Sequence, residues 1–214
     1  ATGHLFFAEQ GSSELWIVDR NGINPTGGYC VGENNNACNS DGSCNPERCG
    51  SAGNFTSPGL KTYSDGSAIQ SLAIADGDSP ALYVLLQNTD RSRLAVFDLH
   101  MGTTDIYEPD NDRSYHQEVG SWNLEGDAST SFLSTSTDGK QLYLVSSGEV
   151  SSFSLPLSES DDTVVPLNTL VFDAEVLPHT FFFDATENRG VVLAATGHAL
   201  YLVGGALNDG VTEV

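Results

Sequence analysis

A spacing of eleven residues recurs along this chain and constrains its fold more than any other feature. Three apolar segments, at 71–74, 131–134 and 180–183, each begin eleven residues before a second apolar segment, at 82–85, 142–145 and 191–194. A third segment begins eight to twelve residues later, at 94–98, 150–153 and 200–203. Short apolar runs between turn-forming residues predict β-strands, and a strand unit that recurs in this way predicts a repeat architecture.

Turn-forming pairs separate the strands within these units. Asp138-Gly139 and Gly197-His198 stand between neighbouring runs, where a two-residue hairpin demands the positive φ that glycine supplies, and Asn21-Gly22 ends the first hairpin in the same way. Each unit is therefore expected to be an antiparallel meander. Candidates for a fourth, outer strand in each unit are the segments 60–64, 105–108, 117–122 and 164–172.

An incomplete copy of the unit opens the chain, with runs at 5–8 and 15–19 and its first segment expected before residue 1. The complete copies start 60 and 49 residues apart, close to the period of about 40–50 residues of propeller blades. The sequence predicts an all-β fold, a β-propeller-like array of about four antiparallel meander blades that forms a single domain over residues 1–214. The alternative is a β-sandwich built from the same hairpins, which does not usually repeat a fixed offset three times.

Residues 131–157 carry the repeat most fully: an apolar strand, Asp-Gly, Leu-Tyr-Leu-Val, a Gly turn and a further strand. This pattern resembles YVTN/lactonase-type β-propeller repeats, and Pro178-His179 is similar to the Pro-His that often opens their blades. The resemblance covers about three blades and implies four-stranded sheets packed radially around a central channel. It does not imply lactonase activity, because one fold hosts many functions.

The four cysteines fall within a loop insertion over residues 27–56 that is rich in Cys, Gly and Asn: Cys30, Cys38, Cys44 and Cys49. Such a loop has too little apolar surface to fold by itself, and two disulfides would hold it in place. A zinc site is disfavoured, since no Cys-x-x-Cys pair or nearby histidine is present. The pairing is left open among three possibilities. Asn54 begins the one glycosylation sequon, and together these features predict an extracellular, secreted glycoprotein.

The charge of the chain excludes several partners. The chain has 29 acidic and 8 basic residues, which gives a net charge of −21. Binding to nucleic acids or to anionic membranes needs clustered basic residues, so neither partner is expected. Membrane insertion is not expected either, because no run reaches about 18 uncharged apolar residues. The absence of a signal peptide at the start is what a mature secreted chain or a processed fragment would show.

Candidate chemistry is sparse, and no catalytic residue is assigned. No cofactor is expected, and calcium is the one ion that the acidic loops suit; the best ligand set is Glu108, Asp110 and Asp112, although none of these loops matches a full calcium-loop spacing. His179 would enter an innermost strand and so face the mouth of a channel. Each of these positions can also be explained without a functional role, as part of a solvated loop or as a residue that makes a structural hydrogen bond.

Two functions follow from these observations. The first is a structural or interaction module that assembles with other chains, as a homo-oligomer or filament, or that binds glycans; its assembly edge would be Leu5, Phe6 and Phe7, beside the missing first strand. Residues 210–214 could instead close that gap, or the chain could be part of a longer propeller. The second function is a lactonase-type hydrolase that uses a divalent cation at the channel mouth.

Overall fold

The computed structural model describes residues 4–19, 61–77, 79–89, 91–99, 118–126, 128–157, 162–172, 181–184, 186–193, 200–204, 207 and 211–213. Within these ranges the chain forms fifteen β-strands, and every strand pair is antiparallel. The all-β prediction is therefore confirmed. No helix in this part of the chain is long and apolar enough to cross a membrane.

The strands form four sheets in chain order, which we number 1 to 4. Sheet 1 has three strands, in the order β1 (His4–Phe7), β2 (Glu14–Asp19) and β3 (Lys61–Thr62). Sheet 2 has four, β4 (Ala68–Ala75), β5 (Ala81–Gln87), β6 (Ser92–Asp98) and β7 (Glu118–Leu124). Sheet 3 has β8 (Phe132–Thr135), β9 (Gln141–Ser146), β10 (Glu149–Ser154) and β11 (Asn168–Val171). Sheet 4 has β12 (Phe182–Asp184), β13 (Arg189–Leu193), β14 (Leu200–Gly204) and β15 (Val211–Glu213).

The eleven-residue spacing is the length of the hairpin between the first and second strands of each complete sheet. In sheet 3, Phe132 pairs with Val145 and Thr135 with Leu142, and the chain reverses at Asp138-Gly139. Gly139 has a φ of 68°, the positive value that the sequence predicted for this turn. Three of the four predicted outer strands are present as β3, β7 and β11, whereas 105–108 lies outside the described residues.

The sheets stack face to face, and the second strand of each inner sheet is apolar on both faces. In β5, Leu82, Val84 and Leu86 pack in a cluster with residues of sheet 1, while Tyr83 and Leu85 pack in a cluster with residues of sheet 3. Continuous burial along such a strand explains why its sequence is an unbroken apolar run rather than an alternating one. Polar residues would leave unpaired groups between the sheets.

Three apolar layers result, one between each pair of sheets adjacent in the chain. In the third layer, Tyr143 and Val145 of β9 meet Phe181 and Phe183, with ring centroids 4.9 Å apart for Tyr143 and Phe181. In the second layer Leu142 and Leu144, on the opposite face of β9, join Trp122 of sheet 2. Trp122 is thus buried between the two sheets.

One of the alternatives for the end of the chain is wrong. Residues 210–214 do not complete sheet 1, because Val211–Glu213 is β15, the outer strand of sheet 4. Val203 pairs with Val211 and Tyr201 with Glu213. A short run next in sequence to β14 closes a small loop, which costs less chain entropy than pairing with a distant sheet.

Candidate functional site

Most site residues predicted from the sequence lie outside the described part of the chain, so these predictions remain untested. They are the four cysteines, the sequon, the acidic ligand set and the histidine: Cys30, Cys38, Cys44, Cys49, Asn54, Glu108, Asp110, Asp112 and His179. Leu5, Phe6 and Phe7 are described, and they form most of β1. The hydrolase alternative depends on the undescribed histidine and acidic loop.

Strand β1 borders sheet 1, and its two phenylalanines belong to opposite faces. Phe6 is buried in the apolar layer against sheet 2, whereas the side chain of Phe7 is 44 % exposed. Successive residues of a strand alternate between faces, and Phe7 is paired with Trp16 of β2. Sheet 1 therefore has one face that packs on sheet 2 and an opposite face that includes Phe7.

Backbone hydrogen bonds fix sheet 1 on the first strand of sheet 2. The amide of Gly11 donates to the carbonyl of Ile69 at 2.7 Å, and the amide of Ile69 donates to the carbonyl of Ser12 at the same distance. Gly11 has a φ of 84°, which turns the chain between β1 and β2 toward β4. The position of β1 is thus set by a backbone contact as well as by apolar packing.

A charged cluster lies between strand β6 of sheet 2 and the segment that follows β3 of sheet 1. The guanidinium of Arg93 contacts the carboxylate of Asp65 at 2.7 Å and stands 5.6 Å from the ring centre of Tyr63. Desolvation acts to raise the pKa of Asp65, but hydrogen bonds from Ser67 and the charge of Arg93 outweigh it and lower that pKa. Burial, followed by the charge of Glu118, raises the pKa of the Tyr63 phenol. The cluster therefore joins the two sheets through side chains that interact with one another.

A second polar group ties sheet 2 to the connection that leads into sheet 3. The buried hydroxyl of Ser92 donates to the carbonyl of Gly126 at 2.8 Å and accepts from the amide of Ala128 at 3.0 Å. The side-chain oxygen of Gln87 accepts from the same amide and lies within hydrogen-bonding distance of the Ser92 hydroxyl, whose single proton it shares with the carbonyl of Gly126. Ser92 and Ala128 are buried and their polar groups find partners in this network, which is the usual condition of a structural network.

The inner turns of sheets 2 and 3 touch, and each contains an Asp-Gly pair. A Cβ on Gly139 would lie 2.9 Å from the carbonyl carbon of Asp76, so the backbones are in direct contact. Asp138 accepts hydrogen bonds from the Ser136 hydroxyl at 2.6 Å and the Lys140 amide at 3.1 Å, and the first of these is the main reason why its pKa is lowered. Asp138 thus stabilises its own turn. Among the described residues no three His, Cys, Asp or Glu side chains are placed to hold a metal ion.

The structure exposes one phenylalanine, Phe182, that the sequence did not mark as a surface residue. Phe182 is 58 % exposed, while its neighbours Phe181 and Phe183 are buried against sheet 3. Gly190, opposite Phe183 in the ladder, leaves room for these rings, since a Cβ there would lie 2.9 Å from Phe183. The sequence signal for this exposure is the run Phe181-Phe182-Phe183. Successive residues of a strand alternate between its two faces, so three consecutive apolar residues cannot all lie on the same face.

Comparisons with known proteins give little information about this chain. No family model matches the sequence, and no curated protein is similar to it. Among solved structures, this chain is similar to a putative 6-phosphogluconolactonase from Bacteroides uniformis, with a TM-score of 0.42 and 11 % sequence identity. That match covers 100 % of this chain and 67 % of the other. A likeness of this degree does not determine the activity of the present chain.

Proposed function

We propose that this protein is a β-propeller-type interaction module that assembles with other protein chains through the border of sheet 1. The stacked four-stranded meanders support the propeller architecture, since such sheets pack face to face around an axis in propellers. The inner strands support it too. The Leu133 amide of β8 donates to the Ser71 hydroxyl of β4, and the Thr135 hydroxyl of β8 donates to the Ile74 carbonyl, both at 2.9 Å.

The observation that carries the proposal is the strand count of sheet 1. In the complete sheets an inner strand stands beside the strand equivalent to β1: β4 beside β5, β8 beside β9, and β12 beside β13. The equivalence is supported by β2 and β6, which both end in aspartate, at Asp19 and Asp98. In sheet 1 the corresponding inner position holds none of the strands formed by the described residues.

A strand from another chain would fill this position by β-augmentation. Main-chain hydrogen bonds would supply affinity, and side chains that alternate between the two faces would supply specificity. A sheet border of this kind is a site that natural proteins cover or pair. Leu5, Phe6 and Phe7 are the residues that we assign to the contact.

We further propose that this assembly takes place outside the cell. The support is compositional: the four cysteines within 27–56, the sequon at Asn54 and the acidic surface charge. Glycans are a second class of partner consistent with that setting.

The test combines sedimentation with amide hydrogen exchange of the whole chain over a range of concentrations. We expect the mean mass to rise from nanomolar to micromolar protein, and exchange at residues 4–8 to slow in parallel. Residues 142–145, in the buried centre of sheet 3, are the internal control and should exchange slowly at every concentration. A compact monomer at micromolar concentration with residues 4–8 already fully protected would overturn the proposal.

A further inference from the structure

Three consecutive apolar residues, Val165-Pro166-Leu167, are exposed in the connection between β10 and β11. Val165 is 75 % exposed and Leu167 is 58 % exposed, and Pro166 is exposed as well. Single apolar residues are common on protein surfaces, whereas a contiguous apolar patch often marks an interaction site. We call this stretch the Val-Pro-Leu segment.

Backbone hydrogen bonds hold the Val-Pro-Leu segment at both ends. On its N-terminal side, the amide of Val164 donates to the carbonyl of Asn123 at 2.9 Å, and the amide of Asn123 donates to the carbonyl of Asp162 at 2.8 Å. On its C-terminal side, the amide of Leu167 donates to the carbonyl of Ser152 at 2.7 Å. The segment thus runs from a contact with β7 of sheet 2 to a contact with β10 of sheet 3.

The structure fixes the conformation of this segment as well as its position. Val164, the residue before it, packs against the apolar layer between sheets 2 and 3. The ring of Pro166 restricts the φ angle in the middle of the segment. A surface that is already held in one conformation loses little entropy when a partner binds, so the segment is suited to docking.

The strand that follows extends the exposed apolar surface. Val171 of β11 is 74 % exposed, and it shares a face of the strand with Thr169, which is also exposed. Leu170, on the opposite face, packs against the layer between sheets 3 and 4. Residues 163–172 include no charged residue. The candidate surface is therefore uncharged over the Val-Pro-Leu segment and the adjoining part of β11.

Acidic residues flank this uncharged surface in the sequence. Asp161 and Asp162 precede it, and Asp173 follows it. Between Lys140 and Arg189 the sequence has no lysine or arginine. A partner with complementary charge would therefore be apolar where it meets the segment and basic around that contact.

We propose that the Val-Pro-Leu segment and β11 form a docking surface for another protein, one that presents apolar side chains flanked by lysine or arginine. A second copy of this chain is a poor occupant, because each copy has 29 acidic and only 8 basic residues. The surface belongs to sheets 2 and 3 rather than to the border of sheet 1, so the inference does not depend on assembly through that border. It adds a second kind of partner to the proposed interaction module.

The test begins with a display library of short random peptides. Peptides are selected for binding to the unmodified chain and then counter-selected against binding to Leu167→Ser. We expect the retained peptides to combine apolar side chains with lysine or arginine. A synthetic peptide of the retained consensus is then titrated by fluorescence anisotropy, and its affinity should fall about tenfold with Leu167→Ser, since one apolar side chain is lost from the contact.

Ile74→Ser is the matched control. Leucine and isoleucine are isomers, and Ile74 is 43 % exposed, but it lies on β4, the inner strand of sheet 2. This variant should bind the peptide like the unmodified chain. Both side chains are exposed, so little loss of stability is expected, and circular dichroism with thermal unfolding checks that the fold is retained.

A second variant tests the charge of the surface without altering its apolar part. Asp162 is exposed, and Asp162→Asn removes one carboxylate beside the segment. Binding of the peptide should weaken, and its dependence on sodium chloride should decrease, because an attraction that salt screens has been removed. An unchanged affinity and salt dependence would overturn the proposed charge complementarity.

Amide hydrogen exchange locates the bound peptide. Slower exchange over residues 163–171 supports the inference. Slower exchange at residues 4–8 alone would place the peptide at the border of β1, which would overturn this inference and leave the proposed function intact. Equal binding by Leu167→Ser, retained peptides that are acidic, or failure to retain any peptide would overturn it as well.

Discussion

At the scale of single residues, the contact between the inner turns of sheets 2 and 3 depends on one glycine. Gly139 has a φ of 68°, and an added Cβ would lie within 3.0 Å of backbone atoms of both Asp76 and Gly77. Backbone atoms cannot rotate away as a flexible side chain can. The close approach and the positive φ therefore reinforce each other at this position.

We expect Gly139→Ala to lower the free energy of unfolding by about 1–2 kcal/mol for the left-handed conformation, and by a further ~1–3 kcal/mol for the clash. Gly66→Ala is the control, since Gly66 has a φ of 80° but open space around its Cβ position. It should show the conformational term alone. Urea unfolding of both variants measures the difference, and equal losses would contradict a tight contact between the turns.

Buried phenols make a second prediction at this scale, on stability in alkali. Burial raises the pKa of Tyr83 to about 12, and it raises the pKa of Tyr63 and Tyr143 as well. Above the ordinary tyrosine pKa of about 10, the unfolded chain releases protons that the folded chain retains. The free energy of unfolding should therefore be unaffected by these groups below about pH 10, and it should fall as the pH rises toward 12.

Urea unfolding between about pH 9 and pH 11, with phenolate absorbance recorded in parallel, measures this loss. Tyr83→Phe keeps the ring but removes one ionisable group, so its stability should fall less steeply with pH than that of the unmodified chain. Ionisation of all seven tyrosines near pH 10 in the folded protein would contradict the prediction.

At the scale of elements, strand β12 should respond to substitution by alternation. Phe183 is buried at 2 % exposure against Tyr143, with ring centroids 5.2 Å apart, whereas the adjacent Phe182 is 58 % exposed. Phe183→Ala should therefore lower the free energy of unfolding by about 3–5 kcal/mol, because it leaves a cavity between sheets 3 and 4. Phe182→Ala should cost the isolated monomer less than about 1 kcal/mol.

Thermal and urea unfolding at concentrations too low for assembly separate these two variants. A loss of stability for Phe182→Ala as large as that for Phe183→Ala would contradict the alternation of the two side chains between buried and exposed faces.

The strands were predictable from the sequence because the hairpin formed by the first two strands of each unit has a recurring length. A spacing of eleven residues allows one inner strand and one tight turn, so the segments at 71–74 and 82–85 had to pair as β4 and β5 do. The sheet to which β15 belongs was not predictable, because a run as short as Val-Thr-Glu suits any sheet border. Only the pairing with β14 resolves that choice.

Contacts between distant residues could not be predicted. Arg93 and Asp65 are 28 residues apart, and nothing local in the sequence marks them as a pair. Phe182 has the same apolar character as its neighbours, so its exposure follows only from the face on which sheet 3 packs. The sequence thus predicts where strands lie more readily than which of their faces remains open.

At the scale of the whole molecule, net charge opposes the proposed assembly of copies through the border of sheet 1. Each chain carries a formal charge of −21, so two copies repel one another. The repulsion extends about 30 Å at 0.01 M ionic strength but only about 8 Å at 0.15 M. Main-chain hydrogen bonds and apolar contacts at the border of β1 are not ion pairs, so this screening does not weaken them.

Assembly should therefore strengthen as sodium chloride rises from about 0.01 M to 0.15 M, with a higher mean mass at equal protein concentration. Amide exchange at residues 4–8 should slow in parallel, which separates pairing at the border of β1 from general salting out. Calcium chloride at matched ionic strength should act as sodium chloride does if screening alone is responsible. Assembly that weakens with salt would show that the copies are held by ion pairs, in contradiction to strand pairing at the border of β1.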